Sequence, residues 1–175
     1  FNPNSPNTNR EMRYYADLLF QGANFRGRPV DYALADNPST ATPHGLDSPK
    51  GAGNVLHSSK TGYNIRKFQD ESVAVTGGIS PNRPFILYRL AEIYLNYAEA
   101  QYQLKNENEA RTFLNKVSKR ALQPDITASG TELYEAIKRE RRVELSFEMH
   151  NYFDERRWMQ NDHLGMDIRG LKWNK

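Results

Sequence analysis

Of the 20 glycines and prolines in this 175-residue chain, 16 lie in the first 84 positions and four in the remaining 91. Both residues punctuate the backbone, glycine by entering left-handed conformations and proline by fixing φ and removing a donor. The asymmetry predicts a mainly α architecture in which one half is loops with short β-strands and the other is helical. The chain accordingly divides into an irregular, loop-rich region over 1–84, a candidate ligand face, and a helical scaffold over 85–175.

Within the first region, stretches such as Asn37-Pro38-Ser39-Thr40-Ala41-Thr42-Pro43 and Ser48-Pro49-Lys50-Gly51-Ala52-Gly53 cannot hold regular structure. Arg13 to Phe20 is apolar enough for either a strand or a short helix, since so short a run has no decisive period. Tyr63 to Phe68 alternates sufficiently for a short strand. Aromatic and imidazole side chains recur here: Tyr14, Tyr15, Phe25, Tyr32, His44, His57 and Tyr63. A tyrosine ring offers a flat apolar face with a polar tip, which suits the CH faces and hydroxyls of sugars, and the same rings equally suit small cores beneath loops. Position and chemistry select Phe25, Arg28, Tyr32 and His57 as candidate ligand contacts.

From Pro84 the period becomes helical, with Pro84 suited to a first turn. Ile86, Leu90, Ile93, Tyr97, Ala100 and Leu104 form one apolar stripe, and Leu87, Ala91, Tyr94, Ala98 and Tyr102 a second. A helix with two apolar faces should be covered on two sides. Lys105 to Asn108 reads as a turn. A second helix follows with Ala110, Phe113, Leu114 and Val117 inward, and Pro124 forbids its continuation. Helix, short turn and helix with small residues at Ala98 and Ala110 resemble a tetratricopeptide hairpin, a unit that needs neighbours to bury its faces. Thr131 starts a third helix whose inward row is Leu133, Ile137, Arg141, Leu145 and Met149. His150-Asn151 marks an end or kink, Tyr152 to Trp158 forms a further short helix, and residues 163–175 read as a surface loop.

Several function classes find no support. Lys and Arg exceed Asp and Glu by only 24 to 21, and acids sit within a turn of every arginine in the densest basic run, which argues against nucleic acid. Without cysteine there are no disulfides, thiolate metal sites or cysteine nucleophiles. No Glu-x-x-His occurs, the four histidines are scattered, and there is no phosphate loop or nucleophile elbow. The expectation is a protein that is not an enzyme, with no catalytic residues, metal or cofactor. The charged cluster around Lys138 to Glu148 reads instead as bracing, with Arg141, Arg142, Arg156 and Arg157 paired to Glu140, Glu144, Glu148 and Asp154. No apolar run reaches the 18 residues of a membrane span. The opening Phe1-Asn2-Pro3-Asn4-Ser5-Pro6 reads like mid-loop sequence, as expected of a piece of a longer protein.

Two segments carry a family resemblance. Arg83-Pro84-Phe85-Ile86-Leu87-Tyr88-Arg89-Leu90-Ala91-Glu92-Ile93-Tyr94-Leu95-Asn96-Tyr97-Ala98-Glu99-Ala100 resembles the signature helix of the SusD/RagB family. Glu140-Arg141-Arg142-Val143-Glu144-Leu145-Ser146-Phe147-Glu148, with Tyr152-Phe153-Asp154 and Arg156-Arg157-Trp158, resembles its second signature. Arg13-Tyr14-Tyr15-Ala16, Arg26-Gly27-Arg28 and Thr61-Gly62-Tyr63 are similar to its intervening segments, although Glu11-Met12 stands where the family often has Asp-Pro. The resemblance implies the C-terminal portion of a single larger, mostly helical domain. It further implies a nutrient-binding lipoprotein of Bacteroidota on the extracellular face of the outer membrane, held by an N-terminal lipid that this chain lacks. Such a protein binds oligosaccharide or polysaccharide without chemistry and passes it to a SusC-like TonB-dependent transporter. The alternatives are a peptide-binding member of the family, or a helical-repeat interaction scaffold with no small-molecule site.

Overall fold

Short strands lie before residue 66 and long helices after residue 89, the order expected from the glycine and proline distribution. A computed structural model describes residues 5–33, 44–50, 58–72, 86–160, 166–167 and 170–171. The chain divides into two units. One comprises Phe1–Thr8, Tyr15–Arg83 and Gly165–Lys175, and the other Asn9–Tyr14 and Pro84–Leu164.

The run from Arg13 to Phe20 resolves its ambiguity by being both things: helix α1 spans Met12–Asp17 and strand β1 follows at Leu18–Leu19. In the loop-rich unit, β1 pairs antiparallel with β4, Asn64–Ile65, in the register Leu18 opposite Ile65. Strands β2, Asn24–Phe25, and β3, Arg28–Pro29, form a hairpin closed by Arg26 and Gly27. Both loop residues have positive φ, 53° and 81°. That is the type I′ geometry whose twist matches the flanking strands. Leu19, Val30 and Tyr32 make a small core, against which Phe25 packs.

The helical unit is built from α2 (Leu90–Gln103), α3 (Glu107–Arg120), α4 (Gly130–Glu144) and α5 (His150–Arg157). Its core gathers Leu95, Ala98, Ala110, Leu114, Val117, Leu133, Ile137 and Leu145. Ala98 and Ala110 are both fully buried, so the small residues lie where helices α2 and α3 pack. Phe113 packs on this core from its edge, its ring 5.4 Å from Tyr94 and 4.3 Å from Tyr97.

Helices α2, α3 and α5 end alike. In α2 the Lys105 N–H donates to the Tyr102 carbonyl and the Asn106 N–H to the Gln101 carbonyl, the Schellman pattern. Leu122 and Gln123 repeat it on α3, and Met159 and Gln160 on α5. The left-handed residue is Lys105, Leu122 or Met159, where glycine is the commoner choice.

Four expectations change. Pro84 lies outside the described residues, and α2 begins at Leu90, because Arg89 is extended (φ −147°, ψ 163°) with its guanidinium drawn to Glu148 and Glu144. Helix α4 begins at Gly130 after Ser129, so Thr131 sits inside the first turn and is not the cap. The α4 row holds through Leu145 but releases Met149, which is 73% exposed: the helix stops at Glu144 and the backbone turns through positive φ at Phe147 and Met149. His150 opens α5 and ends no helix. Of the 163–175 tail only residues 166–167 and 170–171 are described, with Met166 exposed and the Leu171 N–H donating to the Thr61 carbonyl.

Candidate functional site

The candidate ligand face is assembled on the hairpin β2–β3 and the segments beside it. Phe25 is half-buried, with the Arg26 guanidinium carbon 5.0 Å from its ring centroid. Arg26 also donates to the Asp70 carbonyl at 2.9 Å. Arg28 stands exposed and grips Asp47 with a two-pronged fork, both N···O distances 2.7 Å. Hydrogen bonding to Asp47 raises the Arg28 pKa further, and the same bonds hold the Asp47 carboxyl below the usual range.

Asp47 reaches that position through backbone pairing. The Gly45 N–H donates to the Ala33 carbonyl at 2.8 Å and the Asp47 N–H to the Asp31 carbonyl at 2.9 Å. Gly45 passes so close to Asp31 that a Cβ would overlap its carbonyl and carboxylate. Gln21 locks the base of the site, donating to Asp31 and accepting from the Tyr32 N–H.

Tyr32 is only 3% exposed, and burial pushes its hydroxyl up to about 12 while Asn64 bonds it. Its ring is in the small core beneath Phe25. Phe25, Arg28 and Tyr32 are thus brought together on one hairpin and its continuation. His57 lies outside the described residues. Sequence reasoning missed Arg26 and Asp47. The Arg-Gly pair between two short strands signals the turn that presents Arg26, whereas nothing local announces Asp47.

The helical unit carries a different arrangement, two clusters of ion pairs. At the first, Arg13, Arg89 and Arg120 converge on Glu144, whose side chain is wholly buried. Arg13 forks onto Glu11 as well and reaches Glu140 at 2.7 Å, while Arg89 forks onto Glu148. At the second, Arg141 forks onto Asp154 at 2.9 and 3.0 Å and donates to Asn96 at 2.6 Å. Arg157 joins Glu99 and Asp154, and the Trp158 indole donates to Glu99 at 2.8 Å. The expected bracing is present, with some partners exchanged. Arg141 and Arg157 do meet Asp154. Glu140, Glu144 and Glu148, however, take Arg13, Arg89 and Arg120, while Arg142 reaches Glu155 and Arg156 donates to the Tyr152 hydroxyl.

Burial alone would raise the Glu144 and Glu99 pKa values. Hydrogen bonds and charge outweigh it, from Arg89 and Arg13 at Glu144 and from Arg157 and Trp158 at Glu99, and hold both below the usual range. Carboxylates so fixed in the ionised form suit bracing and not proton donation. An open groove of about 680 Å³ lies between the 123–128 loop and the first turns of α4. It is lined by polar groups including Glu132, Glu135 and Arg139, and presents no aromatic face. Among the described residues no group of His, Asp and Glu is placed to hold a metal ion, and no helix is long and apolar enough to cross a membrane.

The model of the SusD family, SusD/RagB, matches residues 2–169. A crystal structure of a SusD-like protein from Bacteroides fragilis is 29% identical, with a TM-score of 0.78 over 97% of this chain and 32% of that one. A SusD-like carbohydrate binding protein from the same organism is 25% identical, with a TM-score of 0.69 over 87% of this chain and 29% of that one. This chain therefore spans about a third of the length of either structure. Among curated proteins none matches. With the family match running nearly end to end, and the same helical fold recurring in both solved structures, the chain belongs to the SusD family.

Proposed function

We propose that the chain is part of a non-catalytic binding protein that captures oligosaccharides at the cell surface and delivers them to a TonB-dependent outer-membrane transporter of the SusC type. The extracellular face of the outer membrane, reached through a lipid anchor, is the place this reading gives it. The observation that carries the reading is the family match over residues 2–169, beside a structural relative described as carbohydrate binding. Its chemistry agrees with binding. The buried carboxylates are engaged by arginines, and the loop-rich unit sets the Phe25 ring against the Arg26 guanidinium.

Phe25 supplies a stacking face, Arg28 hydrogen-bond donors at the rim, Tyr32 support from beneath, and His57 a further polar contact. Pyranose CH groups lie on an aromatic ring while hydroxyls meet the guanidinium.

The test is calorimetric titration of oligosaccharides of differing linkage into the natural polypeptide that contains this chain, with product analysis on the same samples. Saturable binding with unchanged sugar is the expected result. Released product means an enzyme, and peptide binding in place of sugar selects the peptide-binding alternative.

A further inference from the structure

Three side chains one turn apart on α3 hold alternate residues of the connection between α3 and α4. The Ser118 hydroxyl donates to the Pro124 carbonyl at 3.4 Å. The Asn115 amide donates to the Ile126 carbonyl at 3.1 Å and accepts from the Ile126 N–H at 2.8 Å. Arg111 donates to the Ala128 carbonyl at 3.0 Å. Residues 124, 126 and 128 therefore direct backbone groups at α3, with the period of two that belongs to an extended chain. Ile126 and Ala128 pack on the core, Asp125 and Thr127 are exposed, and Ser129 ends the run at φ −138°, ψ 167°.

In an extended chain the intervening residues turn their N–H and C=O groups to the opposite side. Those of Asp125 and Thr127 have no partner among the described residues. Two donors and two acceptors within about 7 Å are a template for another strand. The same residues line one wall of the groove of about 680 Å³, whose other wall carries Glu132, Glu135 and Arg139 of α4.

We propose that this edge and groove take an extended, basic segment of a partner polypeptide, added as a strand beside residues 125–127. Main-chain pairing with an open edge supplies affinity, and alternate side chains supply specificity. The exposed charges of the groove are Asp125, Glu132 and Glu135 against Arg139 alone. Lys119 reaches Asp125 and Lys138 reaches Glu135 from outside the groove, while Glu132 has no ionic partner among the described residues. A cationic side chain opposite Asp125 makes a favourable cross-strand pair. A sugar has no row of amides to match the alternating donors and acceptors, and nucleic acid would meet like charge. The inference is independent of the sugar-binding reading, which rests on other residues.

The probe is a fluorescein-labelled, end-blocked hexapeptide of alternating threonine and lysine, titrated into the natural polypeptide that contains this chain and followed by anisotropy. Saturable binding is expected, with hydrogen exchange slowed over residues 123–129. N-methylation of one alternate set of peptide residues keeps the charge and removes the pairing donors, so affinity falls about tenfold. N-methylation of the other set changes it by less than about twofold, since those amides face away from the edge. Thr127→Pro removes an N–H that nothing in the chain accepts, so the fold survives while peptide affinity falls about tenfold. Thr127→Ala keeps that N–H and the wild-type affinity. Both variants keep oligosaccharide binding, which separates failure here from failure of the sugar-binding reading. Absence of peptide binding, equal affinity of the two N-methylated peptides, or wild-type affinity in Thr127→Pro overturns the inference. Competition by oligosaccharide overturns it as well, by placing the peptide at the sugar face. If Thr127→Pro does not fold, the two N-methylated peptides decide.

Discussion

Arg89 and Glu148, 59 residues apart, meet in a two-pronged contact, Nε to Oε2 at 2.9 Å and Nη2 to Oε1 at 2.7 Å. The same guanidinium donates to the Glu144 carbonyl at 2.6 Å, satisfying an acceptor at the end of α4. One side chain thus ties the entry of α2 to the exit of α4. Arg89→Ala is expected to cost about 3–5 kcal/mol, because it leaves buried carboxylates short of a partner. Arg89→Lys keeps the charge and loses the planar fork, so it should recover only part of that. Urea unfolding of the three proteins orders them; equal midpoints for wild type and Arg89→Ala would sink the claim.

Acid should unfold the helical unit through Glu144 and Glu99. Their folded-state pKa values lie below the unfolded value, about 4.3 for glutamate. The stability they contribute is complete above that pH and disappears as pH falls through the folded values. Melting temperature measured from pH 7 to 3 should hold steady and then fall below about 4.3. Glu144→Gln should melt lower at pH 7 and show a shallower acid decline. A parallel curve for that variant contradicts the assignment.

Gly45 is required by close approach and not by an unusual φ. Gly45→Ala pushes a methyl group into Asp31 and disturbs the pairing that holds Asp47 under Arg28. A loss of about 1–3 kcal/mol is expected from overpacking of this kind. Amide exchange should quicken at Gly45 and Asp47 while that of the α4 core stays as it was. Unaltered exchange at both loop amides would remove the steric argument.

Leu122 holds a left-handed conformation, φ 58°, at the end of α3 with its side chain exposed. A Cβ there costs about 1–2 kcal/mol. Leu122→Gly should therefore stabilise this chain by about 1 kcal/mol, after allowing for the greater freedom of glycine when unfolded. A lower melting temperature would show that the Leu122 side chain contributes more than its backbone conformation costs.

At the proposed ligand face, Arg28→Ala removes an exposed fork and should change stability by less than about 1 kcal/mol. If Arg28 donates to sugar hydroxyls, oligosaccharide affinity should fall about tenfold, equal to 1.4 kcal/mol. Phe25→Ala removes the stacking face and should reduce affinity at least as much. Calorimetric affinities unaffected by both changes would move the ligand elsewhere.

What the amino-acid sequence determined by itself is local. The glycine and proline distribution separates loops from helices, and the spacing of Ala110, Leu114, Val117, Leu133 and Ile137 identifies the buried sides of α3 and α4. These follow from the helical repeat, which needs only neighbours along the chain. The bracing chemistry was legible as well, since so many arginines and glutamates in one helical run must pair to be buried. Which partners they choose was not: Arg13 reaches Glu144 from 131 residues away, and Asp47 meets Arg28 because Gly45 lets the chain pass Asp31. The start of α2 at Leu90 and the release of Met149 were settled in the same way, by contacts and turns at helix ends where the period no longer governs. Tyr32 likewise has the chemistry of a ligand contact but stands in the core, because burial is a property of what folds over a residue. Periodicity can assign two apolar faces to α2, and only tertiary packing decides that Leu95 and Ala98 are covered here while Leu90 and Ile93 stand open.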